Sequence, residues 1–195
     1  MKHHLIGLTC IMLLISAKAF AVQCNEKSQA FISEGDAYYD TNSAPELTKE
    51  EKNKIVALFN LKTNRLRGGG VSSDCTLPEN ESKKISTRLN ASGVLNISSN
   101  GEVHIDLEVE KIAKKETTLE RLVFFSKSAY SEILNLTDSS VVVRTKYRNK
   151  SGAHGGVYLV EEITAITVSE TGVDINLNRY INGFYTNDRS LRLKM

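Results

Sequence analysis

Alternation with a period of two over residues 85–109 constrains this chain more than any other feature. In ISTRLNASGVLNI, Ile85, Thr87, Leu89, Ala91, Gly93, Leu95 and Ile97 interleave with the mostly polar Ser86, Arg88, Asn90, Ser92 and Asn96. In EVHIDLEVE, Val103, Ile105, Leu107 and Val109 share one face, and Glu102, His104, Asp106, Glu108 and Glu110 share the other. Successive side chains of a strand point to opposite sides of a sheet, so both stretches read as long, half-buried strands.

The link between them specifies a register. A two-residue Asn100-Gly101 turn would set Ser98 opposite Val103 and bring an apolar face beside a polar one. The three-residue loop Ser99-Asn100-Gly101, with Gly101 left-handed, instead predicts Ile97 opposite Val103 and Leu95 opposite Ile105. By the same logic the loop Ser169-Glu170-Thr171-Gly172 predicts Val168 opposite Val173, Ile166 opposite Ile175, and Glu162 facing Arg179.

Further strands are expected at 63–75, 117–126, 140–148, 156–168, 173–181 and 184–194, with a short helix near 128–135. Eight strands in chain order predict a mainly-β fold, an antiparallel up-and-down barrel, whose closure removes the exposed edges of an open sheet. A β-sandwich is the alternative. Gly68, Gly69 and Gly70 would let the first strand bend at a barrel corner. Residues 22–60 read differently. Thr48 and Glu51 match the T-x-x-E capping box, and Ile55, Leu58 and Phe59 share a helical face, which predicts a helix over 48–60 and a weaker one near 26–34. The expected organisation is a signal peptide over 1–21, a helical segment over 22–60 packed on the barrel, and a barrel domain over 61–195.

The leader rests on a cationic start at Lys2, an apolar run from Leu5 to Ile15, and Ala19-Phe20-Ala21 before the expected cleavage. Gln23 precedes Cys24, where a lipoprotein signal needs a small residue. No later stretch approaches eighteen apolar residues, so no transmembrane anchor is expected. Cys10 leaves with the leader. Cys24 and Cys75 are then expected to form a disulfide in the periplasm or after secretion. Removing Lys2 and Lys18 leaves 23 basic against 23 acidic residues. A neutral chain offers no electrostatic reason to bind nucleic acid.

Little points to catalysis. Only His104 and His154 follow the leader, and neither G-x-S-x-G nor a serine three residues ahead of a lysine occurs. No enzyme activity, cofactor or metal is expected. The stripe His104, Asp106, Glu108 and Glu110 spaces its side chains about 7 Å apart, which suits a solvated face better than a metal site. RLRGGGVSSD lacks the G-K-[ST] ending of a phosphate loop. The glycine-rich connection holding Gly152, His154, Gly155 and Gly156 is the candidate mobile loop. N-x-[ST] sequons stand at Asn80, Asn90, Asn96, Asn135 and Asn149.

A barrel of about eight strands is just wide enough to be filled by its own side chains or to hold one small molecule. Leu89, Ala91, Gly93, Ile105, Leu107, Ile166 and Ile175 are the candidate cavity lining, Ala91 and Gly93 being small enough to leave room. The expected architecture resembles the lipocalin-type calycin barrels at the level of fold. The Gly-x-Trp of many lipocalins has no counterpart, because the chain has no Trp. Together with the leader and the missing catalytic motifs, a barrel of this width leads to the expectation of an exported, soluble, non-enzymatic binding protein holding a small apolar ligand. The alternative is an envelope protein-interaction module, such as an inhibitor or immunity protein, whose partner is another envelope protein.

Overall fold

The computed structural model describes residues 23–42, 44–76, 83–126, 130–150 and 156–195. The expected signal peptide, and Gly152, His154 and Gly155 of the expected loop, lie outside them. Gly156 is described, and is exposed ahead of a strand.

Nine strands form one antiparallel sheet: β1 (Arg65–Thr76), β2 (Lys83–Ile97), β3 (Val103–Lys111), β4 (Glu116–Phe124), β5 (Tyr130–Leu136), β6 (Ser140–Lys150), β7 (Val157–Ser169), β8 (Gly172–Ile181) and β9 (Phe184–Lys194). Their spatial order is β4, β3, β2, β1, β9, β8, β7, β6, β5. The meander is up-and-down, and the sheet curls into a half-barrel. Among the described residues β4 and β5 are its two edges, each with one strand neighbour.

The predicted registers hold. Ile97 pairs with Val103 and Leu95 with Ile105; Val168 pairs with Val173, Ile166 with Ile175 and Glu162 with Arg179. The count is nine rather than eight because residues 130–136 form a strand where a helix is expected. Six of those seven residues pair along β6, with Leu134 bulged out between Ile133 and Asn135, and the free edge of β6 offers a ready ladder. A helix of under two turns has little cooperative stability to set against it. The chain leaves β4 through Phe125, which has a left-handed φ of 61°, and its amide donates to Ser131 Oγ at 3.1 Å.

At Gly70 in β1, a Cβ would collide with the Ser190 carbonyl of β9. Close approach of the β9 backbone therefore requires a residue without a side chain here.

Before the sheet come α1 (Gln29–Glu34), a 3-10 turn (Gly35–Tyr39) and α2 (Lys49–Leu58). Thr48 caps α2 with the full reciprocal box: its side chain accepts from the Glu51 amide, and Glu51 accepts from the Thr48 amide. This satisfies two otherwise orphaned donors. Ile55, Leu58 and Phe59 are buried in the core made by the concave face of the sheet. Near its N-terminal turn, Lys52 and the preceding Leu47 lie against Gly101 of the β2–β3 turn. α2 thus stops one end of the half-barrel.

The first helix lies on the other face. Cys24 and Cys75 are disulfide-bonded across 51 residues of chain, with Cα atoms 5.7 Å apart. Ser28 donates its amide to the Gly183 carbonyl, and Tyr185 donates to Glu26. Phe31 packs beside Phe184 with ring centroids 5.8 Å apart. These contacts strap the N-terminal segment to the β8–β9 hairpin. No helix among the described residues is long and apolar enough to cross a membrane.

Candidate functional site

Cross-strand neighbours on the concave face form rows from β6 to β2, and their chemistry changes from one end of the half-barrel to the other. Val141, Ile166, Ile175, Leu191, Gly70 and Leu89 make an apolar row. Two residues further from α2 the row is Val143, Thr164, Leu177, Arg189, Ser72 and Thr87. The next is Thr145, Glu162, Arg179, Asn187, Asp74 and Ile85, polar except at its end. The α2 end is therefore apolar and the far end charged.

The expected cavity lining falls on the apolar part. Leu89, Ala91, Ile105, Leu107, Ile166 and Ile175 are all buried in one cluster with Ile55, Leu58 and Phe59. Gly93 is on the same face, paired with Leu66 and Leu107. The place a side chain would take at Gly93 is filled by the Asp106 carbonyl and the Leu107 side chain. Close approach of β3, rather than open space, accounts for this glycine. Beside it runs an open groove of about 690 Å³, bordered by Arg65, Leu66, Ser92 and Met195.

The charged end is tied across the sheet. Glu162 Oε1 accepts from Arg179 Nε at 2.8 Å and from the Tyr147 hydroxyl at 3.2 Å. Burial pushes the Tyr147 phenol up to about 12, and the Glu162 charge adds to it. Asn187 Nδ2 donates to Asp74 Oδ1 at 3.3 Å. Arg189 pairs with Glu120. Glu120 lies on β4, four places from β9 in the sheet, so this ion pair spans the concavity. Burial draws the Arg189 guanidinium below the ordinary arginine value, against the opposing charge of Asp74.

Three buried atoms in this cluster have no hydrogen-bond partner among the described residues: Thr164 Oγ1, Asn187 Oδ1 and Arg189 Nε. Thr164 is 0% exposed. Buried polar groups are normally paired, because an orphan loses its hydration and gains nothing. The arrangement can therefore receive hydrogen bonds at one atom and give them at another. The described residues of its rows include no His or Cys.

A second polar cluster is buried on the convex face beneath α1. Arg144 Nε donates to Glu132 at 2.8 Å, and its Nη1 pairs with Glu34 at 2.5 Å. Lys146, 2% exposed, donates to Glu34 Oε2 at 3.3 Å and to the Tyr38 carbonyl at 3.2 Å. Its ammonium sits 4.3 Å from the centre of the Tyr130 ring, a cation–π contact. The Tyr38 hydroxyl donates to Glu161 Oε2 at 2.9 Å. Burial, with the Glu161 charge, holds the Tyr38 phenol far above its ordinary value. For Glu34 burial acts upward, but the hydrogen bond and charge of Arg144, with those of Lys146, outweigh it and leave the carboxyl below 4.5.

On the stripe from His104 to Glu110, Glu102 Oε1 lies 3.0 Å from His104 Nε2, Asp106 takes Arg121 at 2.5 Å, and Glu110 accepts from Asn90 at 3.0 Å. Among the described residues no three His, Cys, Asp or Glu side chains converge on a metal-sized space.

Sequence reasoning pairs Glu162 with Arg179 but misses Asp74, Glu120, Thr164, Asn187 and Arg189. A signal for three of them is present: Thr164 is in phase with Glu162 and Ile166, and Asn187 and Arg189 with Leu191 and Leu193, which places them on the inward face. No protein-family model matches the chain, and no curated protein matches it.

Proposed function

We propose that the protein is an exported, non-enzymatic carrier that takes up a small apolar ligand between the concave face of its sheet and α2. The supporting observation is that the half-barrel is stopped by a ten-residue helix and not by strand pairing between β4 and β5. Helices this short are marginal in isolation and depend on the apolar surface they cover. An apolar ligand covering the same side chains would replace the burial lost when Ile55, Leu58 and Phe59 withdraw. The Cys24–Cys75 disulfide supports export to an oxidising compartment.

The test is fluorescence of N-phenyl-1-naphthylamine, an apolar probe that brightens out of water. Saturable binding, reversed by a long-chain acyl compound, is expected, and Phe59→Ala should bind the probe more tightly by vacating space. Absence of saturable binding in both proteins sinks the reading.

One observation favours a second reading, an envelope protein-interaction module of the inhibitor or immunity type. The outer edge of β4 has no strand neighbour among the described residues, and Leu119 on that strand is 87% exposed. Such an edge can accept a partner's strand. Loss of a purified partner's binding in Leu119→Lys would support this reading, and unchanged binding would remove it.

A further inference from the structure

We propose that the charged end of the concave face seats an uncharged polar group carrying both a hydrogen-bond acceptor and a donor. The carrier's ligand is then a neutral amphiphile, such as an acyl ester of a polyol, and not a free fatty acid. This rests on the carrier reading and names its ligand class.

The three orphaned atoms set the requirement. Arg189 Nε is a donor, Asn187 Oδ1 an acceptor, and Thr164 Oγ1 either. A carboxylate has only acceptors and leaves Asn187 Oδ1 unpaired. An ammonium has only donors and leaves Arg189 Nε unpaired. An ester or amide carbonyl beside a hydroxyl serves both.

Charge decides the same way. Asp74, Glu120 and Glu162 set three carboxylates against the two guanidinium groups of Arg179 and Arg189. Each guanidinium is already engaged, Arg179 with Glu162 and Arg189 with Glu120. Neither of these guanidinium groups could meet an anion without giving up its carboxylate. Position then orients the ligand. Thr164 is flanked across the sheet by Val143 and Leu177 and lies next to the apolar row of Ile166 and Ile175. A head group at Thr164 directs its tail along that row toward α2.

The test is displacement of bound N-phenyl-1-naphthylamine from the full chain by 1-monopalmitoylglycerol and by palmitate at neutral pH, both below their micelle concentrations. The ester should displace the probe at a concentration about tenfold lower, the scale of one or two buried hydrogen bonds. Thr164→Val keeps the side-chain shape without the hydroxyl and should narrow that gap to about threefold or less, while Thr164→Ser should keep it. Asn187→Leu removes the orphaned acceptor and should narrow the gap independently should Thr164→Val not fold. Equal displacement by ester and acid, tighter displacement by palmitate, or a gap untouched by Thr164→Val and Asn187→Leu overturns the head-group assignment and leaves the carrier reading standing. Failure of both compounds to displace the probe, or of the probe to bind, overturns both.

Discussion

Both faces of the sheet bury charged side chains, and they complete them differently. Beneath α1, Arg144 and Lys146 find Glu34, Glu132, Tyr130 and Tyr38, partners drawn partly from the strapped N-terminal segment. Glu161 Oε1 is the single orphan described there. Inside the curl, three atoms lack partners among the described residues, although Thr164 is as deeply buried as any core residue. The convex cluster is completed by the chain itself and acts as an anchor for α1. The described side chains leave the concave cluster incomplete, and a buried group without any partner costs roughly 1–3 kcal/mol. A cost of that size is what an occupant supplying hydrogen bonds would remove.

Disrupting the convex anchor should have the largest effect. Lys146→Ala removes the ammonium between Glu34 and the Tyr38 carbonyl and its contact with the Tyr130 ring. A loss of about 3–5 kcal/mol in urea unfolding is expected, and a loss below about 1 kcal/mol would deny the cluster its anchoring role. Replacing Cys24 and Cys75 with Ser frees the same strap and should cost about 2–4 kcal/mol.

A smaller effect is expected in acid. The folded Glu34 carboxyl titrates below its ordinary 4.5. Its contribution is therefore complete above the unfolded value and is lost as the pH falls through the lower folded one. Stability measured against pH should drop on that limb, and Glu34→Gln should flatten the drop.

The concave side has its own titration. Tyr147 moves from 10.0 up to about 12 on folding, so its contribution is whole below the unfolded value and lost as the pH rises through about 12. Glu162→Gln should bring the phenol's absorbance titration back toward its ordinary range; an unmoved curve would break the assignment. Smallest of all, Thr164→Val should stabilise the unliganded protein by up to about 1 kcal/mol, because it removes an orphaned hydroxyl without opening a cavity. A clear loss of stability would show that the hydroxyl is satisfied.

Much of the fold is legible in the sequence because strand period and turn length must agree. The β2–β3 and β7–β8 registers follow from that agreement alone, and the α2 cap follows from Thr48 and Glu51. β5 escapes such reasoning, since its strand identity comes from the free edge of β6 and not from its own pattern. The concave charged cluster is less legible still. Alternation puts Arg189 inside, but its pairing with Glu120 depends on how far the sheet curls, a property of the whole meander and not of either strand. The same holds for Gly93, whose small size reads as room and turns out to admit the β3 backbone.

Hydrogen exchange over α2, with and without a saturating long-chain monoacylglycerol, tests the proposed carrier most directly. Faster exchange across Lys49–Leu58, with slower exchange along β6 to β9, is the expected result, because the ligand takes the helix's place against the sheet. Unchanged or slowed exchange in α2 on binding would contradict it.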